Sequence, residues 1–226
     1  MENFSDIKKT KIFAEISEND MQAMAYCLKI KFANYNKNDT IVSQGTPAEN
    51  VYLILKGGAK VENIDSRGDI SIITKLKAGG VFGIESSYSG EEEYSEYLIA
   101  TENSLVMIMN RHRLINPCQN KCKRHDIVVK NLVKLIVERN AELIEKLRLL
   151  SKKNTREKVL AYLYRQSSLA GTVYFDIPYN KTELANYLSV DRSALSTVLS
   201  KLKEEGIIDF DKKHYHIDIN RTNISK

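Results

Sequence analysis

Long apolar runs are missing from this 226-residue chain, and cysteine is scarce. No stretch reaches the ~18–20 apolar residues that a membrane-spanning helix needs. The polar start, MENFSDIKKTK, lacks the apolar core of a signal peptide. Three cysteines are too few for a disulfide scaffold, so a reducing cytoplasm is the expected compartment and no membrane partner is expected. Also lacking are a paired-carboxylate set with a histidine, a nucleophile motif and a glycine-rich phosphate loop ahead of a helix. An enzyme is therefore not expected. The formal net charge is only +5, which allows a nucleic-acid partner without demanding one. That charge is unevenly placed: residues 151–226 carry 13 Lys and Arg against 9 Asp and Glu, and residues 1–150 carry 21 against 20.

What the basic C-terminal part does contain is a two-helix pattern over residues 180–208. Asn180 followed by Glu183 is a reciprocal capping pair, and Leu184, Ala185 and Leu188 share one face of the helix it opens. Asp191 is placed to cap a second helix, whose apolar side is Leu195, Val198, Leu199 and Leu202 and whose stop is Gly206. Two short helices this close read as a helix-turn-helix. Arg192, Ser193, Ser196, Thr197, Ser200 and Lys201 face away from the leucines, and Lys181 opens the first helix. Ser and Thr are poor choices for a plain exposed helix face, but short polar and basic side chains suit a DNA major groove. An ordinary helical hairpin with solvated serines is the bland alternative. After Gly206 the alternation Ile208, Phe210, then Tyr215, Ile217 around the turn 211–213 predicts a two-stranded wing. A helix over 155–168 and a strand over 173–177, ended by Pro178, complete a winged helix in residues 151–226. His214 and His216 on the wing are read as surface or phosphate-contacting groups without a metal.

Upstream, the pattern changes twice. Residues 1–28 read as helical, with Ser17 as a helix start and Ile12, Phe13, Ile16, Met21, Met24 and Leu28 as core. From about Ile30 to Met109, short β-rich runs alternate with glycine turns, which predicts a small antiparallel barrel or jelly roll. From Lys123 to Leu150 the period is helical. Val129, Val133, Ile136, Asn140, Leu143, Leu147 and Leu150 recur at heptad spacing, with one polar Asn140 where an a position falls. Such a seam predicts a parallel homodimer, because a lone a-position Asn fixes register and a two-stranded state. The competing reading is a helix packed on its own barrel. Residues 151–154 are expected to be the hinge.

The order barrel, long helix, winged helix resembles the CRP/FNR family of bacterial transcription regulators over nearly the whole chain. Gln44-Gly45-Thr46-Pro47-Ala48, the run from Val51 to Gly57, and Gly79-Gly80-Val81-Phe82-Gly83 resemble its barrel signatures. Residues 180–208 resemble its helix-turn-helix down to Val190-Asp191-Arg192-Ser193. The resemblance implies an α+β fold: an effector-sensing, cyclic-nucleotide-binding-like jelly roll in residues 1–122, a dimerisation helix in 123–150 and a winged helix in 151–226. It also implies a dimer on a two-fold symmetric duplex site, with RNA polymerase as a further candidate partner. The effector pocket would be formed by Gly83, Ile84, Glu85, Tyr94 and Ser95.

Departures from the family pattern bear on mechanism. Tyr94 stands where cyclic-AMP-binding members place a phosphate-binding arginine, and between Arg67 and Arg111 the only basic residues are Lys75 and Lys77. A tyrosine cannot offer the donor fork a cyclic phosphate needs, so cyclic AMP is not the expected effector. An iron–sulfur cluster needs about four thiolates, and only Cys27 lies in the N-terminal third. The effector stays unassigned. Ser193 and Thr197 replace the Glu and second Arg of familiar relatives, so their half-site does not transfer, and Ser189 replaces a turn glycine. Arg192 is expected on a guanine edge or a phosphate, Ser193, Ser196 and Thr197 on base edges, and Lys201 on phosphate. Cys118, Cys122 and His125 fall at i, i+4 and i+7, which would align them on one helix face. Two readings stay open for them: metal or thiol redox chemistry, and small buried core groups. A regulatory module with a vestigial helix-turn-helix is the remaining alternative.

Overall fold

The computed structural model describes residues 4–90, 92–116 and 123–218, the side chains of 86–88 excepted. The chain divides into two compact units, Met1–Ala141 and Glu142–Lys226.

The first unit opens with helix α1 (Phe4–Lys8), a 3-10 turn (Lys11–Phe13) and helix α2 (Glu18–Cys27). Ser17 caps α2 as expected, its Oγ accepting from Asp20 N–H at 3.2 Å. The six apolar residues expected as core in this segment are all buried. Eight strands follow: β1 (Lys31–Tyr35), β2 (Thr40–Val42), β3 (Asn50–Lys56), β4 (Gly58–Ile64), β5 (Ile70–Lys77), β6 (Val81–Phe82), β7 (Tyr97–Ala100) and β8 (Ser104–Asn110). Short helices α3 (Ile84–Ser89) and α4 (Arg111–Ile115) interrupt and close the series. The strands form two four-stranded sheets, β1-β8-β3-β6 and β2-β7-β4-β5, with antiparallel neighbours. This is a jelly-roll-like fold of two sheets, not a closed barrel.

Strand β3 reads as an unbroken apolar run because it is covered on both faces. Val51, Leu53 and Leu55 join a cluster with Ile7, Phe13, Met21, Leu28, Met107 and Met109. Ile54 joins a second cluster with Ile41, Val61, Phe82, Tyr94, Leu98 and Val106, packed by Tyr52. Helix α5 (Lys123–Leu150) closes the first cluster with Val128 and Leu132. Each fully buried aliphatic side chain of this kind contributes roughly 1.5–3 kcal/mol. Buried Asn131 is satisfied by donating from Nδ2 to the carbonyls of Ile12 (3.3 Å) and Ala14 (3.0 Å).

The other face of α5 is bare: Val133, Val137, Leu143, Ile144 and Leu147 are exposed, Val137 by 63% and Leu147 by 65%. Three members of the expected seam differ, Leu150 at the helix end being half-buried as well. Val129 and Ile136 are half-buried, and Ile136 packs against the first unit's own core. The bare stripe instead adds Val137 and Ile144, beside the heptad positions. The reading of a helix packed on its own barrel thus holds for one face of α5, and the other face is left uncovered in the single chain.

The second unit takes α5 from Glu142, then α6 (Thr155–Ala170), β9 (Tyr174–Asp176), α7 (Lys181–Leu188), α8 (Arg192–Glu204), β10 (Ile208–Asp211) and β11 (His214–Ile217). Its core holds Val159, Tyr162, Leu163, Leu184, Leu188, Leu195, Leu199, Leu202, Tyr215 and Ile217. The wing has three strands in the order β10-β11-β9, not the expected two, because β9 pairs with β11 through Phe175↔Tyr215. The boundary between the units also falls before residues 151–154. Leu149 is 5% exposed, and Lys146 Nζ lies 4.4 Å from the ring centre of Tyr187 on α7, so the last turns of α5 belong to the winged helix. Among the described residues, no helix is long and apolar enough to cross a membrane.

Candidate nucleic-acid interface and sensor domain

Helix α7 begins at a complete capping box. Glu183 N–H donates to Asn180 Oδ1 (2.9 Å), and Asn180 N–H donates to Glu183 Oε2 (2.8 Å). The turn after α7 is made by Ser189 in the left-handed region, φ 50°, ψ 58°. Asp191 occupies the N-cap of α8, but its side chain accepts no capping hydrogen bond. Leu195, Leu199 and Leu202 are fully buried and hold α8 on the core. Arg192, Ser193, Ser196, Thr197, Ser200 and Lys201 are all exposed, as is Lys181. The structure thus gathers the six α8 residues on one uncovered helix face. Thr197 Oγ1 donates back to the Ser193 carbonyl at 3.1 Å, which leaves this hydroxyl its acceptor capacity toward a base.

Next to α7 the wing adds lysines that sequence reasoning passed over. A groove of about 450 Å³ is lined by Asn180, Lys181, Phe210, Asp211, Lys212 and Lys213. Lys181 and Lys203 lie 5.0 and 5.4 Å from the Phe210 ring centre. The signal available in the sequence was the pair Lys212-Lys213 at the tip of a predicted wing. The outer sheet face carries paired charges. His214 Nδ1 is paired with Asp176, His216 stacks on Tyr174 at 4.5 Å, and Lys203 Nζ reaches Asp209 at 2.5 Å. The Lys203 ammonium beside Asp209 holds its carboxyl below the usual range. Beneath the helices, Tyr162, Tyr179 and Tyr187 form an aromatic cluster with ring centres 4.7–6.2 Å apart. Burial pushes all three phenols up, and burial pushes the Lys146 ammonium over Tyr187 down to about 8.

In the jelly roll the five expected effector residues are spread over two buried clusters and the surface. Ile84 is buried in the cluster that faces α5, whereas Tyr94 is buried in the cluster between the sheets. Glu85 turns to Arg139 on α5, and Ser95 is exposed, its carbonyl accepting from Asn63 Nδ2 at 3.3 Å. Gly83 is required where it stands. Its φ is +85°, and a Cβ there would lie 2.9 Å from the Asn50 carbonyl oxygen. The Tyr94 ring itself packs between the sheets, with its centre 5.4 Å from that of Phe82 and its Cε1 against Gly83. Cys118 and Cys122 lie outside the described residues. His125 is 4% exposed, and its Nε2 has no hydrogen-bond partner among the described residues. Among those residues no group of three or more His, Cys, Asp or Glu side chains is arranged to hold a metal ion.

Known proteins share both halves. Residues 32–121 match the cyclic nucleotide-binding domain, and residues 157–223 match the Crp-like helix-turn-helix domain. Electron transport regulator A of Shewanella oneidensis is 22% identical over 183 residues, spanning 79% of this chain and 71% of its own. Transcriptional activator protein FnrL of Cereibacter sphaeroides is 23% identical over 208 residues, spanning 88% and 81%. Among solved structures, a CooA variant from Carboxydothermus hydrogenoformans superposes with a TM-score of 0.74 at 17% identity, covering 92% of this chain and 93% of its own. FixK2 from Bradyrhizobium japonicum gives 0.65 at 22%, covering 83% and 92%. A jelly-roll sensor domain joined by a long helix to a winged helix defines a class of DNA-binding regulators. Within that class, the chain belongs to the CRP/FNR family and is a transcription regulator of that type with an unidentified effector.

Proposed function

We propose that the protein works as a homodimer on a two-fold symmetric duplex site in the cytoplasm, by binding and not by catalysis. The observation that carries this is α8: three leucines fully buried on one side and six short polar or basic residues uncovered on the other. In this reading α8 enters the major groove, with Arg192, Ser193, Ser196 and Thr197 toward base edges and Ser200 and Lys201 toward the backbone. Lys181, Lys212 and Lys213 flank it as phosphate contacts. The bare stripe Val133, Val137, Asn140, Leu143, Ile144 and Leu147 supports pairing of two α5 helices, which would set two α8 helices about one DNA turn apart. Contact with RNA polymerase would follow from such a position on a promoter. Cyclic AMP finds no basic fork at Tyr94, and its addition is expected to leave DNA affinity unchanged.

The test is selection of bound duplexes from a random pool by the purified chain, with and without reductant. A symmetric motif with half-sites one turn apart is expected under both conditions. Arg192→Ala is expected to lose about 1–3 kcal/mol of binding and relax one position of the motif. A motif seen under one redox condition only would move control to Cys118 and Cys122. No motif, or full binding by the Arg192 variant, would sink the reading.

A further inference from the structure

Tyr94 brings a hydroxyl into the apolar space between the sheets, and that hydroxyl is fully engaged. The side chain is 2% exposed, and its ring lies 5.4 Å from Phe82 and 6.1 Å from Tyr52. Its OH donates to the Asn50 carbonyl at 2.5 Å and accepts from Asn50 N–H at 3.0 Å. The ring is thus fixed at both ends, apolar body in the core and polar tip on β3. Gly83 fits against it so closely that a Cβ there would lie 3.2 Å from Tyr94 Cε1. The ring, β3 and the start of α3 therefore pack as one piece.

That piece is tied to α5. Phe82, against the ring, follows Val81, whose carbonyl accepts from an Arg139 guanidinium nitrogen at 3.1 Å. Glu85 in the first turn of α3 places Oε1 2.9 Å from Arg139 Nε, an ion pair without hydrogen-bond alignment. The Arg139 side chain is only 19% exposed, so this link is partly shielded from water and salt. Arg139 adjoins Asn140 on the bare stripe. A displacement of the ring would reach α5 through packed contacts that span no gap.

Resting on the DNA-binding reading above, we infer that Tyr94 is the sensor domain's resident occupant and that Arg139 is the positioning residue that transmits its placement to α5. With the ring in place, Arg139 straps α5 to the β6–α3 corner, and the strapped state is the one that binds DNA tightly. The physical reason is preorganisation: a helix held in one orientation spares the ordering cost of placing two recognition helices together. A molecule entering the domain would have to displace the ring and would weaken DNA binding.

The experiment uses the full chain and the duplex selected for the unaltered protein, with affinity read by fluorescence anisotropy and folding by circular dichroism. Tyr94→Gly is expected to lose about tenfold in DNA affinity, within the usual span of coupling between sites. Millimolar p-cresol, which replaces the missing side chain, is expected to restore it. Arg139→Met is expected to show a similar loss that p-cresol does not repair. Leu98→Ala, a cavity in the same cluster away from the strap, is expected to lower thermal stability while leaving affinity within about twofold. Unchanged affinity in Tyr94→Gly, a loss that p-cresol leaves in place, or an equal loss in Leu98→Ala would each overturn the inference. If Tyr94→Gly fails to fold, Arg139→Met decides, and unchanged affinity in that variant overturns it. If the unaltered protein selects no duplex, the functional reading fails first and this inference falls with it; normal binding by every variant defeats this inference alone.

Discussion

Replacing Ser189 with glycine should stabilise the winged helix, and the size of the gain follows from two opposed terms. Ser189 sits at φ 50°, ψ 58°, where its Cβ crowds the backbone. Holding a non-glycine residue there costs roughly 1–2 kcal/mol. Glycine removes that cost but brings a more disordered unfolded chain, worth roughly 0.5–1 kcal/mol against it. The side chain is exposed, and the turn is closed by bonds that leave the Ser189 hydroxyl out: Ser189 N–H to Asn186 O at 3.4 Å, Val190 N–H to Ala185 O at 3.1 Å, and Lys158 Nζ to Leu188 O at 3.4 Å. Little else is lost with the hydroxymethyl group. Relief of strain wins, by about 0.5–1 kcal/mol. For a unit the size of Glu142–Lys226 this is a rise in Tm of about 2–8 °C. Thermal unfolding followed by circular dichroism reads it directly, with Ser189→Ala as the control that keeps a Cβ and should not gain. DNA affinity should be unchanged, since the backbone path of the turn is preserved. A Tm that stays level or falls in the glycine variant, or rises as much in the alanine variant, would refute the strain argument.

Three further outcomes are expected. Leu199→Ala should destabilise the winged helix by about 2–5 kcal/mol in urea unfolding, because a fully buried leucine leaves a cavity under α8; a loss under about 1 kcal/mol would mean that the helix collapses onto the gap. Val137→Glu with Leu147→Glu should convert dimer to monomer in sedimentation, since both side chains are largely exposed in the single chain and their loss should not unfold it. Lys146 makes stability rise with pH. Its folded value near 8 lies below the 10.5 of the unfolded chain, so between these the unfolded state holds the extra proton. Stability should climb above pH 8, less whatever the contact with Tyr187 contributes to the charged form, until the unfolded chain's phenols begin to ionise at about pH 10. There the buried Tyr162, Tyr179 and Tyr187, held protonated, turn it down, and the climb below that turn should vanish in Lys146→Met.

Local chemistry was legible in the sequence wherever one element's own residues fixed the outcome. Asn180 and Glu183 are three apart, and they form the capping box expected of them. Leu195, Leu199 and Leu202 recur at helical spacing and are buried together, which leaves Arg192, Ser193 and Ser196 uncovered. Ser17 caps α2 for the same local reason. Ser189, standing where a glycine is usual, does adopt the left-handed conformation that such a turn demands.

Legibility stopped where two distant segments choose each other. Nothing in β9 announces that it pairs with β11, because strand partners are set by register across the sheet and not by neighbours in the chain. The heptad spacing of α5 marked one stripe, but Ile136 turned toward the first unit's core while Val137 and Ile144 lie bare. A helix face is assigned by what packs on it, and the buried face of α5 is held in part by Asn131 on the carbonyls of Ile12 and Ala14, more than a hundred residues upstream.

The residues read as an effector pocket are the sharpest case. The sequence, through the family it resembles, set Tyr94 where an arginine is usual, and from that came the expectation that a cyclic phosphate is not the effector. Only the tertiary structure decided where the ring goes: between the sheets, onto Asn50 and against Gly83, with Glu85 turned away to Arg139. A sequence lists which groups exist and how near neighbours can cap, turn or repeat. Which groups meet across the fold is decided by packing, where every buried polar atom must find a partner and every cavity must be filled.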